Sequence, residues 1–377
     1  MARTGNCEIG ATHPAILQLR ATCQVEVIAL VRRYDKIDDC RWIRSEHVTR
    51  RIEPPPPLFL CKLVGLYDRD LAICYSMAKD YKVNLFLYGR QIRPPSRNEK
   101  MSFPQKSKFD GFERNDLVYN IVDGHDLLAS ILTPKKLAKE RHSGTHANVP
   151  VLVYWHGGGF IVGDRMYEPW WSSWLLEFAL SQDAMIVAPD YRLLPEACGA
   201  DILDDMDAFW TWFLDTLPGV AESESWNVRP DANRILCAGH SAGGSIALHS
   251  AVGRPDAAVK ALVSLYGPLY SNVPELKLAR PRMIAGSWPP SPREAEAKIR
   301  SYVQRTKDTI RTHGDPVEMW ELFACILQQG RLLRMFHRTP DPRFDTIAKI
   351  EARNTLPPIW LVHGQNDSVV SMNIGGR

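Results

Sequence analysis

From about Leu117 onward the apolar positions fall into short blocks with a regular rhythm. Leu117–Val122 and Leu127–Leu132 flank Asp123-Gly124, and that pair favours the positive φ angles of a tight turn, so the two runs predict a hairpin. Val151–Trp155 is continuously apolar and predicts a strand buried on both faces. Met185–Pro189, Arg234–Ala238, Ala258–Tyr266 and Pro358–His363 predict further strands. Between them, Trp170–Ser181, Ile202–Leu217 and Ser245–Val252 carry helical spacing. Strands alternating with helices imply an α/β fold, with a mainly parallel sheet covered by helices on both faces.

Two regions break the rhythm. Residues from Gly267 to Thr355 are proline-bearing and mostly helical (Pro292–Thr312, Pro316–Phe336), which reads as an insertion over about 268–355. It carries Met319, Trp320, Leu322, Phe323 and Leu327. These residues fit either an apolar lid or the insertion's own core. Residues 1–110 contain a Pro54–Pro57 run and a polar, proline-bearing stretch from Gln91 to Lys108, both linker-like. Leu58–Asp80 between them predicts one or two helices. No catalytic motif falls in this region. The division expected is 1–110, of open structure, and 111–377, the α/β domain with its insertion.

Composition narrows the function classes. The 377 residues are 45% hydrophobic and 24% charged, the balance of a globular chain rather than a disordered or coiled-coil one. A net charge of +3 is too small to imply a nucleic-acid partner. The charge is uneven, with 19 basic against 12 acidic residues in 1–110, a pattern that fits a solvated surface. No apolar run approaches the ~18 residues that span a bilayer. The start, Met1 to Glu8, has no apolar core of a signal peptide. The eight cysteines form no CxxC pair, five preceding residue 75, which is neither a zinc pattern nor a dense disulfide framework. A reduced, cytoplasmic protein of open oligomeric state is the expectation, with no metal.

The candidate chemistry lies at two glycine clusters. Gly239-His240-Ser241-Ala242-Gly243 fits G-x-S-x-G between a predicted strand and a predicted helix. Glycines at Gly239 and Gly243 permit a tight turn that lifts the Ser241 hydroxyl out. The following helix directs its N-terminal N–H groups and dipole toward the same place. A plain serine turn before a helix is the simpler alternative. His156-Gly157-Gly158-Gly159-Phe160 directly follows the strand Val151–Trp155. Its glycines let backbone N–H groups approach a ligand closely. The expected oxyanion donors are Gly158, Gly159 and Ala242, with His156 and Gly157 structural. No Gly-Lys-Ser/Thr follows, so a Walker phosphate loop is excluded.

With its serine 85 residues after His156, this pair of motifs resembles the hormone-sensitive-lipase-like branch of the α/β-hydrolases. Asp190-Tyr191-Arg192-Leu193-Leu194-Pro195-Glu196 resembles that family's DYRLxPE segment, and the resemblance runs over roughly 112–370. Within it, Asp190, Arg192 and Glu196 have structural roles, and N-terminal helices join the insertion as a cap. The resemblance extends to small fungal acyl hydrolases of natural-product pathways. It implies serine-dependent hydrolysis of a small apolar carboxylic ester without a cofactor. The acid of the triad falls on Asp367, in His363-Gly364-Gln365-Asn366-Asp367.

The family's triad order is serine, acid, histidine, with the histidine about 30 residues beyond the acid. Only Ser368–Arg377 follow Asp367 in this sequence, none of them histidine. The last strand and helix of the fold are therefore expected to be missing and the triad incomplete, with little activity on short-chain aryl esters. His240, His249, His313, His337 and His363 are candidate substitutes, but His240 is expected to point away from the Ser241 hydroxyl. A second function class stays open. Plant gibberellin receptors resemble the same family, keep the serine and bind a small carboxylate without hydrolysing it. A decayed hydrolase is the third.

Overall fold

The computed structural model describes the strand at 25–30 and residues 107–139, 147–224, 226–268, 277–279, 282–284, 288, 290–364, 367 and 369–370. The expected helices of Leu58–Asp80 and both linker segments of 1–110 lie outside these, apart from Ser107 and Lys108 at the end of the second.

The predicted hairpin forms from β2 (Phe112–Val122) and β3 (His125–Pro134), and Asp123 and Gly124 both take positive φ, 48° and 79°. The strands β4 (Ala147–Trp155), β5 (Met185–Pro189), β6 (Val228–His240), β7 (Ala261–Leu265) and β8 (Ile359–Gly364) then run parallel to one another. With β1 (Val25–Leu30), the sheet order is β1-β8-β7-β6-β4-β5-β3-β2. The edge beyond β8, for which the sequence reading had no strand, is taken by β1. It pairs antiparallel from Val25 opposite Gly364 to Leu30 opposite Ile359. An open edge presents unpaired N–H and C=O groups, and any apolar strand in reach satisfies them. A partner more than three hundred residues away carries no local signal.

β4 explains why its run is continuously apolar. Val151, Val153 and Trp155 enter one core and Leu152 and Tyr154 the other, as the two-residue period requires. On the first face lie α3 (Gly199–Asp215) and α5 (Ala242–Gly253); α2 (Ser173–Ser181) covers the second. The short α1 (Lys135–Lys139) and α4 (Leu217–Ser223) complete the connections.

The insertion forms α6 (Pro292–Arg305), α7 (Trp320–Gln328), α8 (Leu332–Phe336) and α9 (Thr346–Glu351). The expected helical span Pro316–Phe336 holds the two helices α7 and α8, divided at Gly330, whose φ of 59° suits glycine. Ser291 starts α6 with a capping box: its hydroxyl accepts from the Glu294 N–H, and Glu294 reaches back to the Ser291 N–H. Among the described residues no helix is long and apolar enough to cross a membrane.

Candidate active site

Strand register decides which motifs meet. Trp155 at the end of β4 is level with Gly239, His240 with Leu265, and Leu265 with Val362. The segments that follow β4, β6 and β8 therefore leave the sheet at one edge, the carboxyl end, where ligands bind in open parallel sheets.

Ser241 stands between β6 and α5 with φ 50° and ψ −124°, a conformation that costs a non-glycine residue about 1–3 kcal/mol. Its N–H donates to the Leu265 carbonyl (2.8 Å), and its carbonyl accepts from the Gly244 N–H (2.9 Å). The turn is that tight because its neighbours lack side chains: a Cβ on Gly239 would lie 2.2 Å from the Gly243 oxygen. α5 is buried along Ala242–Val252, so the helix that begins after Ser241 cannot drift.

The loop after β4 is folded back on itself. The Gly158 carbonyl accepts from the N–H groups of Ile161 and Val162, both at 3.0 Å. Gly158 and Gly159 adopt φ of 100° and 61°. A Cβ on Gly158 would meet the Val162 oxygen at 1.8 Å, and one on Gly159 would meet the Phe323 ring at 2.4 Å. Phe323 belongs to α7, so the insertion rests directly on this loop. Phe160 continues the contact, its ring centroid 4.9 Å from that of Phe336.

Two histidines hold the loop from below. His156 donates through Nδ1 to the Gly157 carbonyl (2.9 Å) and stacks on Tyr191 at 4.3 Å. Tyr191 in turn donates to the His156 carbonyl (2.8 Å). Burial pushes the His156 imidazole down to about 4. His240 accepts from the Gly157 N–H through Nε2 (3.2 Å), so its proton sits on Nδ1 and is donated to the Tyr154 hydroxyl (2.7 Å). Burial pushes this imidazole lower still, to about 3. His240 was expected only to point away from the hydroxyl. Its role as a brace under the first loop glycine is not legible in a linear motif.

The third block ties the loop after β5. Asp190 accepts from the Arg165 N–H (3.0 Å) and pairs with its guanidinium, while Arg165 Nε donates to Ser130 (2.8 Å). Burial raises Asp190 to about 6 against the pull of Arg165. Arg192 is forked by Asp205, its Nε 2.9 Å from Oδ1 and its N–H 2.8 Å from Oδ2, with Asp201 alongside. Glu196 faces Arg311 of the insertion. Arg165, Tyr191 and Arg311 were not singled out in the sequence, because each acts on a partner remote in the chain or on backbone.

Asp367 follows β8. Its Oδ1 accepts from the N–H groups of Val369 and Val370 (2.8 and 2.9 Å), and its Oδ2 lies 3.8 Å from His363 Nε2. His363 itself donates to the Val370 carbonyl (2.7 Å), within the same loop. The other candidate bases are equally committed. His249 bonds to Thr346 (3.1 Å), His313 to Asp164 (2.9 Å), and His337 packs on Phe344. None of these contacts is with Ser241.

A family model described as alpha/beta hydrolase fold matches residues 152–372. A probable carboxylesterase of Phoma sp. is 55% identical over 270 residues, covering 72% of this chain and 83% of its own. A probable carboxylesterase of Cochliobolus lunatus is 55% identical over 188 residues, covering 50% of this chain and 86% of its own. Among solved structures, a thermophilic carboxylesterase cloned from a metagenomic library is similar at 19% identity and a TM-score of 0.37, over 75% of each chain.

Proposed function

Since this chain belongs to the α/β-hydrolase fold family, in its carboxylesterase branch, we propose that it hydrolyses a small apolar carboxylic ester through an acyl-enzyme on Ser241. The observation that carries the reading is the backbone of Ser241, held at φ 50° between a buried strand and a buried helix. Such strain persists only where the surroundings over-determine it, and it clusters at reactive residues.

In this reading the Ser241 oxygen attacks the ester carbonyl. The carbonyl oxygen gains negative charge and is received by the N–H groups of Gly158, Gly159 and Ala242, the last at the start of α5, whose dipole favours an anion. The alcohol leaves with a proton, and water then releases the acid by the same route. The Ser241 proton must pass to a general base and from it to the alcohol. In the family that base is a histidine oriented by the acid, the place Asp367 holds in this reading, and no described histidine is assigned to it. None of the described histidines bonds to Ser241 in the contacts above. The insertion at about 268–355 caps the site, supported by the seating of Phe323 on Gly159. A substrate from secondary metabolism is part of this reading on the resemblance of the motif set to fungal acyl hydrolases of natural-product pathways.

The test is turnover of p-nitrophenyl butyrate together with labelling by a fluorophosphonate, in the protein and in Ser241→Ala. Labelling confined to Ser241 is expected, with turnover that is slow for want of an assigned base and that is lost in the alanine variant. Equal rates in both proteins overturn the reading.

A further inference from the structure

Arg311 lies in the stretch between α6 and α7, far in sequence from either glycine cluster, yet all five of its N–H donors are used. Nε donates to Glu196 Oε1 (3.0 Å), and Nη2 to Glu196 Oε2 (3.0 Å) and the Leu194 carbonyl (2.6 Å). Nη1 donates to the Ile161 carbonyl (2.7 Å) and to the His313 carbonyl (3.3 Å). The Glu196 side chain is only 1% exposed, so its charge has exchanged water for this guanidinium and the Tyr302 hydroxyl (2.8 Å).

The backbone around Arg311 grips the same two loops. Its carbonyl accepts from the Leu193 N–H (2.7 Å). Three residues on, Gly314 exchanges two hydrogen bonds with Gly163, at 2.6 and 3.1 Å. The Leu194 N–H donates to the Phe160 carbonyl (2.7 Å). The carbonyls of Phe160, Ile161 and Gly163 thus have partners from 194, 311 and 314. Ile161 also closes the turn onto the Gly158 carbonyl, and that turn sets the direction of the Gly158 and Gly159 N–H groups.

We propose that Arg311 is a positioning residue for the oxyanion loop, a forked pin that fixes Ile161, Leu194 and Glu196 in one body. It touches no substrate. It acts by holding the turn whose N–H groups receive the developing charge. A point charge cannot replace it, because the planar fork serves a carboxylate and three carbonyls at once. This inference rests on the esterase reading for its effect on rate, though not for its effect on the loop.

The test compares Arg311→Gln and Arg311→Lys with Arg331→Gln, which removes an ion pair inside the insertion, Arg331 to Glu296 (2.8 Å). The readouts are kcat and KM on p-nitrophenyl butyrate and hydrogen–deuterium exchange of the peptide spanning 157–164. Misplacing a catalytic group by about an ångström costs on the order of a hundredfold in rate. We therefore expect kcat to fall about tenfold to a hundredfold in both Arg311 variants, KM to stay within about threefold, and the 157–164 amides to exchange faster. Arg331→Gln should change neither. Unchanged exchange at 157–164 overturns the proposal, and so does an equal loss in Arg331→Gln, which would reduce the effect to general loosening of the insertion. Should the unsubstituted protein show no Ser241-dependent turnover, the esterase reading fails by itself. The exchange comparison then decides for or against Arg311 alone.

Discussion

A Cβ built on Gly243 would lie 2.1 Å from the carbonyl oxygen of Trp155. The first turn of α5 is therefore seated against the end of β4, and the serine turn and the glycine loop are held apart by no more than a hydrogen atom. Gly243→Ala must push one from the other. Overpacking a well-packed site costs about 1–3 kcal/mol. The expected outcome is a loss of that size in urea unfolding, together with loss of Ser241 labelling by a fluorophosphonate. A variant as stable and as reactive as the parent would show the contact to be soft.

Ser241→Gly separates strain from reactivity. Glycine accepts positive φ without steric cost, so part of the ~1–3 kcal/mol stored at this position is released. The variant should unfold at a higher urea concentration than the parent while losing all labelling. A lower midpoint would mean that the Ser241 side chain contributes more to folding than its backbone costs.

Two aspartates on one helix should behave very differently. Asp205 is fully buried and forks Arg192, whereas Asp204 is 59% exposed and pairs with Arg343 at the surface. Removing one partner of a buried pair leaves an uncompensated charge and costs about 3–5 kcal/mol. Removing one partner of an exposed pair costs about 0–1 kcal/mol. Asp205→Ala is accordingly expected to be severely destabilised and Asp204→Ala nearly neutral, as read from equilibrium unfolding at neutral pH.

The buried histidines set an acid limit. Burial lowers His156 and His249 to about 4 and His240 to about 3. An unfolded chain would protonate these groups near pH 6.5, roughly. Below that value the unfolded state binds more protons, so stability is full above it and falls as the pH drops toward the folded values. Asp190, raised to about 6, acts in the opposite sense between the usual carboxylate range and that value, stabilising the fold as pH falls. His249 lies behind the serine turn, against Thr346, and offers a clean probe. Between pH 6.5 and 4.5, roughly, His249→Gln should lose less stability than the parent, by more than about 1 kcal/mol. Parallel pH profiles would show that His249 is not held neutral.

The central strands were legible because they are buried on both faces. Met185–Pro189 reads as an unbroken apolar run and forms β5 at those bounds. The serine turn was legible for a different reason. Gly239 is required by its contact with Gly243, four residues on, so that part of the constraint is written locally, whereas Gly243 is required by the carbonyls of Trp155 and His156 on another segment. β6 was read too short, as Arg234–Ala238 rather than Val228–His240, because its first half is half-exposed and mixed in polarity.

The sequence by itself determined the order of strands and helices, the serine turn, and the glycine loop, since these follow from local periodicity and from backbone conformations that only glycine tolerates. Tertiary structure alone decided what fixes them in place. His240 braces Gly157 across 83 residues, Arg311 pins Ile161 across 150, and β1 closes an edge against β8. Such pairings depend on which groups folding brings within hydrogen-bonding distance while excluding water. A linear pattern of polar and apolar residues carries no record of that.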